Sequence, residues 1–149
     1  MSFYALKPEV PGALGERTVL RHRPGAYPIV MQLHFEFSYG TLGNDLITSH
    51  PVFLVTVRLA EALERSGLSG FAISSNVDVT VDEQVWLFEP EWQPPAVRWL
   101  QVTGEPALDD FGLTANALLV VSSRALSVLR QFKIDDCEVI GISGDIPGH

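Results

Sequence analysis

Two stretches of the chain are nearly alike, V-T-V-R-L-A-E-A-L at 55–63 and V-S-S-R-A-L-S-V-L at 121–129. In each, an apolar run typical of a buried strand is followed by a hydroxyl residue that can cap a helix, Thr56 in the first and Ser122 or Ser123 in the second. Apolar side chains then recur four residues apart, which predicts one buried helical face. Two explanations are open: an internal duplication, or chance recurrence of a common strand–cap–helix pattern. Under either explanation we expect the two stretches to have a structural role. The arginine of each, Arg58 or Arg124, is predicted to lie on the solvent-exposed first turn of its helix.

The two units predict an α+β fold, in which two main helices at about 57–66 and 123–132 pack on a mixed or antiparallel sheet. Alternation of apolar and polar residues at 29–37 predicts a further, half-buried strand. The chain has 149 residues, enough for one domain with its own core. We therefore expect a single α+β domain over 1–142, followed by a flexible tail at 143–149.

The composition limits the class of protein. Cys137 is the only cysteine, so an internal disulfide is excluded and a cysteine-based zinc site is disfavoured. No apolar run approaches the roughly 20 residues of a membrane span, and the first residues show no signal-peptide pattern. These features predict a cytoplasmic protein without a membrane partner.

Catalytic and metal-binding motifs are absent from the sequence. It contains no G-x-G-x-x-G, no P-loop and no H-E-x-x-H pattern. None of the four histidines has a helical spacing to another, and His34 falls on the polar side of its strand, where we expect it at the surface. Asp109 and Asp110 form the most suggestive acid pair, but neighbours in sequence usually point apart, so we expect one to tie the loop and the other to be solvated. The sequence thus predicts no enzyme, no cofactor and no metal site.

Charge is distributed unevenly along the chain. The net charge is −8, and eight of the acids lie at 74–110, where Arg98 is the only base. A chain with this balance lacks the basic footprint of a nucleic-acid-binding protein. The acidic stretch is either a solvated surface or a docking surface for a basic partner, whose complementary charge would speed association.

The acidic stretch also contains the aromatic residues Trp86, Phe88 and Trp92, interspersed with prolines. Aromatic anchors inside a charged rim are typical of protein interfaces, although the same residues could instead pin an irregular segment to the core. The interface interpretation gives a set of predicted partner-binding residues. They are Asp78, Asp82, Glu83, Trp86, Glu89, Glu91, Trp92, Asp109 and Asp110.

Three further stretches carry a resemblance to a known group of proteins. They are L-G-N-D-L-I-T-S-H-P-V-F-L-V-T at 42–56, W-L-Q-V-T-G…D-D-F-G-L at 99–113, and L-V-V-S-S-R-A-L-S-V-L-R-Q-F at 119–132. Over about residues 3–142 the chain resembles a family of immunity proteins found beside bacterial polymorphic toxins. The resemblance implies an α+β domain that is not an enzyme, binds its cognate toxin tightly, and blocks a surface that the toxin needs. The family supplies no catalytic residues, and its binding surfaces vary among members.

The sequence and the resemblance together predict a non-enzymatic immunity protein that neutralises a cognate toxin, encoded nearby, through an acidic surface with aromatic residues. Two alternatives are open: a structural domain that self-associates, for example as a homodimer, and a small ligand-binding or enzymatic α+β domain. A large apolar two-fold interface would favour the first alternative. A deep polar pocket with converging acids or histidines would favour the second.

Overall fold

The two similar stretches adopt the same local structure, a strand that runs directly into a helix. The first consists of β6 (Val52–Thr56) and α1 (Val57–Arg65), and the second of β11 (Leu119–Ser122) and α3 (Ser123–Leu129). All of β11 is buried, and so are the first four residues of β6. Because both strands are covered on both faces, their sequences are short continuous apolar runs.

The other elements complete the chain around these two units. The structure is a computed structural model that describes residues 2–142, so the predicted flexible tail at 143–149 lies outside the described residues. The remaining helix is the short α2 (Gln84–Phe88). The remaining strands are β1 (Phe3–Lys7), β2 (Gly12–Leu14), β3 (Val19–Arg21), β4 (Ile29–Phe37), β5 (Leu46–Ser49), β7 (Phe71–Ser74), β8 (Val77–Val81), β9 (Val97–Val102), β10 (Phe111–Leu113) and β12 (Glu138–Ile142).

The predicted fold class, an α+β domain with two main helices, is wrong. Over the described residues the protein is mostly β, with 12 strands in three sheets, and its three helices have only nine, five and seven residues. The second predicted helix ends at Leu129 rather than at 132, because the chain enters turns there and the Phe132 N–H bonds to the Leu129 carbonyl. Several of the strands that the sequence did not reveal have only three residues, too few for alternation to be recognised.

Two of the three sheets have the same topology. Their strand orders are β5-β6-β9-β7 and β10-β11-β1-β12, and all neighbouring strands in them are antiparallel. Each half of the chain supplies a first strand, a hairpin, a helix and a closing strand. The halves exchange their first strands, so that β1 lies in the second sheet and β9 in the first. The similarity at 55–63 and 121–129 therefore extends over both halves, which favours an internal duplication over chance.

Two apolar cores hold the sheets together. The first is formed by α1, α3 and the two matching sheets, and its buried residues include Leu59, Phe111 and Leu126. The second lies between the first of these sheets and a third sheet built on β4, with Phe37 and Leu54 among its members. In the third sheet, β2 and β3 pair with β4 antiparallel, while β8 pairs with it parallel. The first sheet is thus covered on both faces.

Candidate functional site

The arginine in each of the two similar stretches holds a buried aspartate. Arg124 donates from Nε and Nη2 to the two carboxylate oxygens of Asp110 at 2.8 and 2.7 Å. Arg58 makes the same pair of bonds to Asp45 at 2.7 and 2.6 Å. Both aspartates are buried, whereas the arginine side chains remain largely exposed, as expected for first-turn residues. Bidentate pairs of this kind add geometric specificity as well as energy.

The Asp110 carboxylate also joins the two halves of the chain. Ser122 Oγ donates to Oδ1 at 2.6 Å, and the backbone N–H of Ser69, in the loop after α1, donates to Oδ2 at 2.9 Å. Ser122 Oγ in turn accepts the Ala125 N–H at 3.1 Å, so this serine caps α3 as predicted. Hydrogen bonds from Arg124 hold the pKa of Asp110 well below its usual range, although burial acts in the opposite direction.

Asp45 has matching partners, because it is bound by the arginine and the hydroxyl residue of the first similar stretch and by a backbone N–H of the other half of the chain. Thr56 Oγ1 donates to Oδ1 at 2.5 Å, and the backbone N–H of Lys133, in the loop after α3, donates to Oδ2 at 2.8 Å. The Thr56 hydroxyl accepts no backbone N–H at the start of α1, so the prediction that it caps this helix is wrong. Burial, the largest single influence, raises the pKa of Asp45, but the hydrogen bonds from Arg58, Thr56 and Lys133 together outweigh it and lower the pKa.

The two aspartates are structural residues, because each carboxylate accepts hydrogen bonds from both halves of the chain. Sequence reasoning missed Asp45, although the repeat held the signal: Asp45 precedes Arg58 by 13 residues and Asp110 precedes Arg124 by 14. Asp110, predicted to bind a partner, is 6% exposed and offers a partner little surface. Its neighbour Asp109 is half-buried and accepts a backbone N–H of its own loop at 2.7 Å.

An exposed apolar ridge forms the most prominent surface feature of the acidic stretch. Trp86, Leu87 and Phe88 of α2 are all exposed, and Leu87 exposes 77% of its surface. The ring of Tyr39, also exposed, lies 5.0 Å from the ring of Phe88. We call Tyr39, Trp86, Leu87 and Phe88 the aromatic ridge. The sequence pointed to its two α2 aromatics but did not reveal that Leu87 and Tyr39 accompany them.

The aromatic ridge is anchored to the second apolar core. Val85, on the inner side of α2, is buried, and Trp86 Nε1 donates to the Trp92 carbonyl at 3.0 Å. The Trp92 ring packs edge-on against Phe37 of the second core, with ring centres 5.8 Å apart. Of the two predicted interface tryptophans, Trp92 therefore pins the segment to the core, while Trp86 faces outward. The core interpretation therefore holds for Trp92, and the interface interpretation stays a prediction for Trp86.

The predicted acids of this stretch fall into two groups. Asp78 forms an ion pair with Arg17 at 2.5 Å, and Asp82 accepts the Gln84 N–H at 3.0 Å at the start of α2, so both are engaged within the chain. The others are exposed and form no ion pair with any described residue. They flank the aromatic ridge in the chain and are Glu83, Glu89 and Glu91.

His34 lies inside the protein, and the prediction that it is a surface residue is wrong. The segment that joins β2 to β3 covers it: the Arg17 N–H donates to Nδ1 at 3.2 Å, and Nε2 bonds to Thr80 Oγ1 at 2.7 Å. The close approach depends on Gly15, because a Cβ atom there would meet the imidazole ring. His34 is therefore a packed and hydrogen-bonded core residue.

The described part of the chain offers neither a metal-binding cluster nor an activated cysteine. Within residues 2–142, no three His, Cys, Asp or Glu side chains are arranged to hold a metal ion. Burial raises the pKa of the Cys137 thiol to about 11, which keeps it protonated and poorly nucleophilic at neutral pH.

Comparisons with known proteins do not assign this chain to a family. None of the helices within residues 2–142 has the length and apolar character needed to cross a membrane. The resemblance to immunity proteins therefore stays a prediction. No family model, curated protein or solved structure matches the chain.

Proposed function

We propose that the chain is a non-enzymatic, cytoplasmic immunity protein that binds a cognate toxin domain and neutralises it by covering a surface the toxin needs. The observation that carries the proposal is the aromatic ridge, an apolar surface on a short helix with exposed acids on either side. Contiguous exposed apolar groups rimmed by polar residues mark interaction sites. Tryptophan and tyrosine are enriched among the residues that carry most of the binding energy. The toxin as partner class comes from the family resemblance.

The charge around the aromatic ridge supports a basic partner. Residues 82–97 contain four acids and no lysine or arginine. Such a surface attracts a basic protein and orients it during encounter. A toxin domain that acts on nucleic acid needs a basic surface to hold its substrate. Binding of that surface to the aromatic ridge would both satisfy the charge and exclude the substrate.

Self-association through the aromatic ridge fits the charge less well. In a two-fold contact between identical chains, the same patch occupies both sides of the interface. The acids beside the ridge, Glu83, Glu89 and Glu91, would then meet the same acidic rim of the other copy, and like charges brought together at an interface disfavour association. We therefore favour a basic partner over a second copy of this chain.

A matched pair of leucine substitutions tests the docking surface. Leu87→Ala removes an exposed side chain from the aromatic ridge, and Leu108→Ala removes one from the loop before β10; the two leucines are 77% and 76% exposed. We expect Leu87→Ala to weaken binding to the toxin domain encoded beside this gene roughly tenfold, and Leu108→Ala to change it less than about twofold. Calorimetric titration of the purified partners gives both affinities.

Growth of cells that express the toxin supplies the second readout. Co-expression of the wild-type chain should rescue growth, and Leu87→Ala should rescue less well than Leu108→Ala. The proposal fails if the toxin stays lethal beside the wild-type chain. A loss confined to Leu108→Ala would move the docking surface to the loop at 104–111. A dimer in sedimentation that Leu87→Ala dissociates would replace the proposal with self-association.

A further inference from the structure

The strand β12 lies at one edge of the second sheet. Its neighbour there is β1, which pairs with it from Lys7 opposite Glu138 to Phe3 opposite Ile142, without a break in the register. No other strand within residues 2–142 pairs with β12. Three of its five residues are exposed, as expected for a strand with a free edge. The second edge of β12 is therefore uncovered by any strand of the described chain.

Hydrogen bonds at the start of β1 show which backbone groups of β12 face outward. The Ser123 N–H donates to the Ser2 carbonyl at 3.1 Å, so Ser2 and the even-numbered residues of β1 bond towards β11. The odd-numbered residues of β1 therefore bond to β12. Their partners in β12 are Glu138, Ile140 and Ile142. The N–H and C=O groups of Val139 and Gly141 point the other way, where they form a template for a further strand.

The sequence of β12 does not protect this edge. Edge strands in natural proteins commonly carry a lysine, a proline or a bulge that prevents pairing with another chain. β12 reads E-V-I-G-I, contains neither lysine nor proline, and keeps a continuous register with β1. Ile140, at its centre, is 40% exposed. An exposed apolar edge without these devices favours pairing with another strand.

The charge of β12 selects neither a basic nor an acidic partner. Its single charged residue, Glu138, lies directly opposite Lys7 of β1, so the two side chains share one face of the sheet. Residues 82–97 differ in this respect, because their four acids favour a basic partner. The occupant of the β12 edge is therefore to be identified from the pattern of the strand itself.

A second copy of β12 fits this pattern. In an antiparallel pair that is two-fold symmetric about Ile140, Val139 of each chain lies opposite Gly141 of the other, and the two residues exchange both N–H···O=C bonds. Ile140 lies opposite its own copy, so the two exposed side chains cover one another. Glu138 lies opposite Ile142, so the acids of the two copies do not meet.

We propose that the chain forms a homodimer in which β12 pairs antiparallel with β12 of a second copy. The interface is isologous, since the same strand occupies both sides. It joins the second sheets of the two copies into one continuous sheet. The proposal does not depend on the proposed function, because the aromatic ridge and β12 share no residue.

Two substitutions of Gly141 differ in whether the outward N–H remains. Gly141→Pro removes it, a change that strands tolerate where this group faces no partner within the chain. Gly141→Ala keeps it, and the added Cβ would lie 4.0 Å from Cε1 of Tyr4, an ordinary contact distance. Circular dichroism and thermal melting establish that each variant is folded.

Sedimentation equilibrium of the full chain measures the dimer. A contact made by one strand is small and therefore weak, so the concentration series extends to about 0.5 mM. We expect wild type to show a monomer–dimer equilibrium. Gly141→Pro should raise the dissociation constant at least about tenfold, whereas Gly141→Ala should change it less than about twofold.

Cysteine cross-linking tests the register and still decides the case if Gly141→Pro does not fold. Ile140→Cys and Glu138→Cys are each made together with Cys137→Ser, so that the introduced thiol is the only one. The two copies of position 140 would have Cβ atoms about 4.5 Å apart, close enough for a disulfide. The two copies of position 138 would be about 13 Å apart along the strands. Mild oxidation should therefore give a covalent dimer for Ile140→Cys and roughly tenfold less for Glu138→Cys.

Several results would overturn the proposal. One is a wild-type monomer throughout the concentration series; another is a dimer that Gly141→Pro leaves intact. Equal cross-linking of the two cysteine variants would exclude the two-fold register about Ile140. A full-length monomer that dimerises only after residues 143–149 are removed would make that segment the occupant of the edge.

The Leu87→Ala variant separates a failure here from a failure of the proposed function. It should leave the dimer intact, and Gly141→Pro should leave the affinity for the toxin domain unchanged. A dimer that Leu87→Ala dissociates and Gly141→Pro does not would move the interface to the aromatic ridge and overturn the pairing of β12.

Discussion

Replacement of Asp110 by alanine is expected to lower the free energy of unfolding by about 3 kcal/mol, because it removes the buried carboxylate that binds the buried Ser122 hydroxyl, the Ser69 N–H and Arg124. The Ser69 N–H and the Ser122 hydroxyl lose their bonds to the carboxylate, and Arg124 loses both of its own. Arg124 can turn into solvent, whereas the other two groups are held in place. Urea denaturation followed by tryptophan fluorescence measures the change.

The adjacent residue provides the control for this experiment. Asp109→Ala removes a half-buried carboxylate whose closest bond, at 2.7 Å, is to the Glu105 N–H within the same loop. We expect a cost of about 1 kcal/mol or less, the usual net value of one hydrogen bond. If the two variants are equally destabilised, Asp110 does not have the special role that its contacts indicate. Asp45→Ala should resemble Asp110→Ala, because its partners match.

The two similar stretches show which parts of the fold could be predicted from the sequence. Their apolar runs and helical spacing identified β6, β11, α1 and α3, because local patterns determine such elements. The carboxylates beneath their arginines were not identified, since Asp45 and Asp110 reach Arg58 and Arg124 only through tertiary structure. Thr56 illustrates the same limit, because its hydroxyl donates to the Asp45 carboxylate and accepts no backbone N–H of α1.

The rest of the fold depended on contacts that a single sequence does not display. β2, β3 and β10 are stabilised by pairing with longer strands, and strand formation follows such context more than intrinsic preference. Burial of His34 required a covering segment with glycine at position 15. At the candidate site, composition located the acidic stretch, but only the structure separated Trp86, which is exposed, from Trp92, which is packed.

Stability is also expected to fall steeply below about pH 4, because Asp45 and Asp110 both have a pKa below the value of about 3.9 for an unfolded chain. As the pH falls, the unfolded state takes up protons first, and the folded state is then disfavoured. The contribution of both carboxylates is complete above about pH 5 and is lost as the pH falls towards their folded pKa values. Urea midpoints measured from neutral to acidic pH give the profile.

Asp110→Asn separates this carboxylate from the general effect of acid. Asparagine keeps the shape but cannot ionise, so we expect lower stability than wild type at neutral pH and a shallower decline between about pH 5 and pH 2. Asp78→Asn is the control, since its half-exposed pair with Arg17 contributes little to stability and the decline should keep the wild-type slope. A decline in Asp110→Asn as steep as in wild type would place the acid sensitivity elsewhere. If the free energies of unfolding of wild type and Asp110→Asn converge at low pH, the acid sensitivity is assigned to the Asp110 carboxylate, which joins the two halves of the chain.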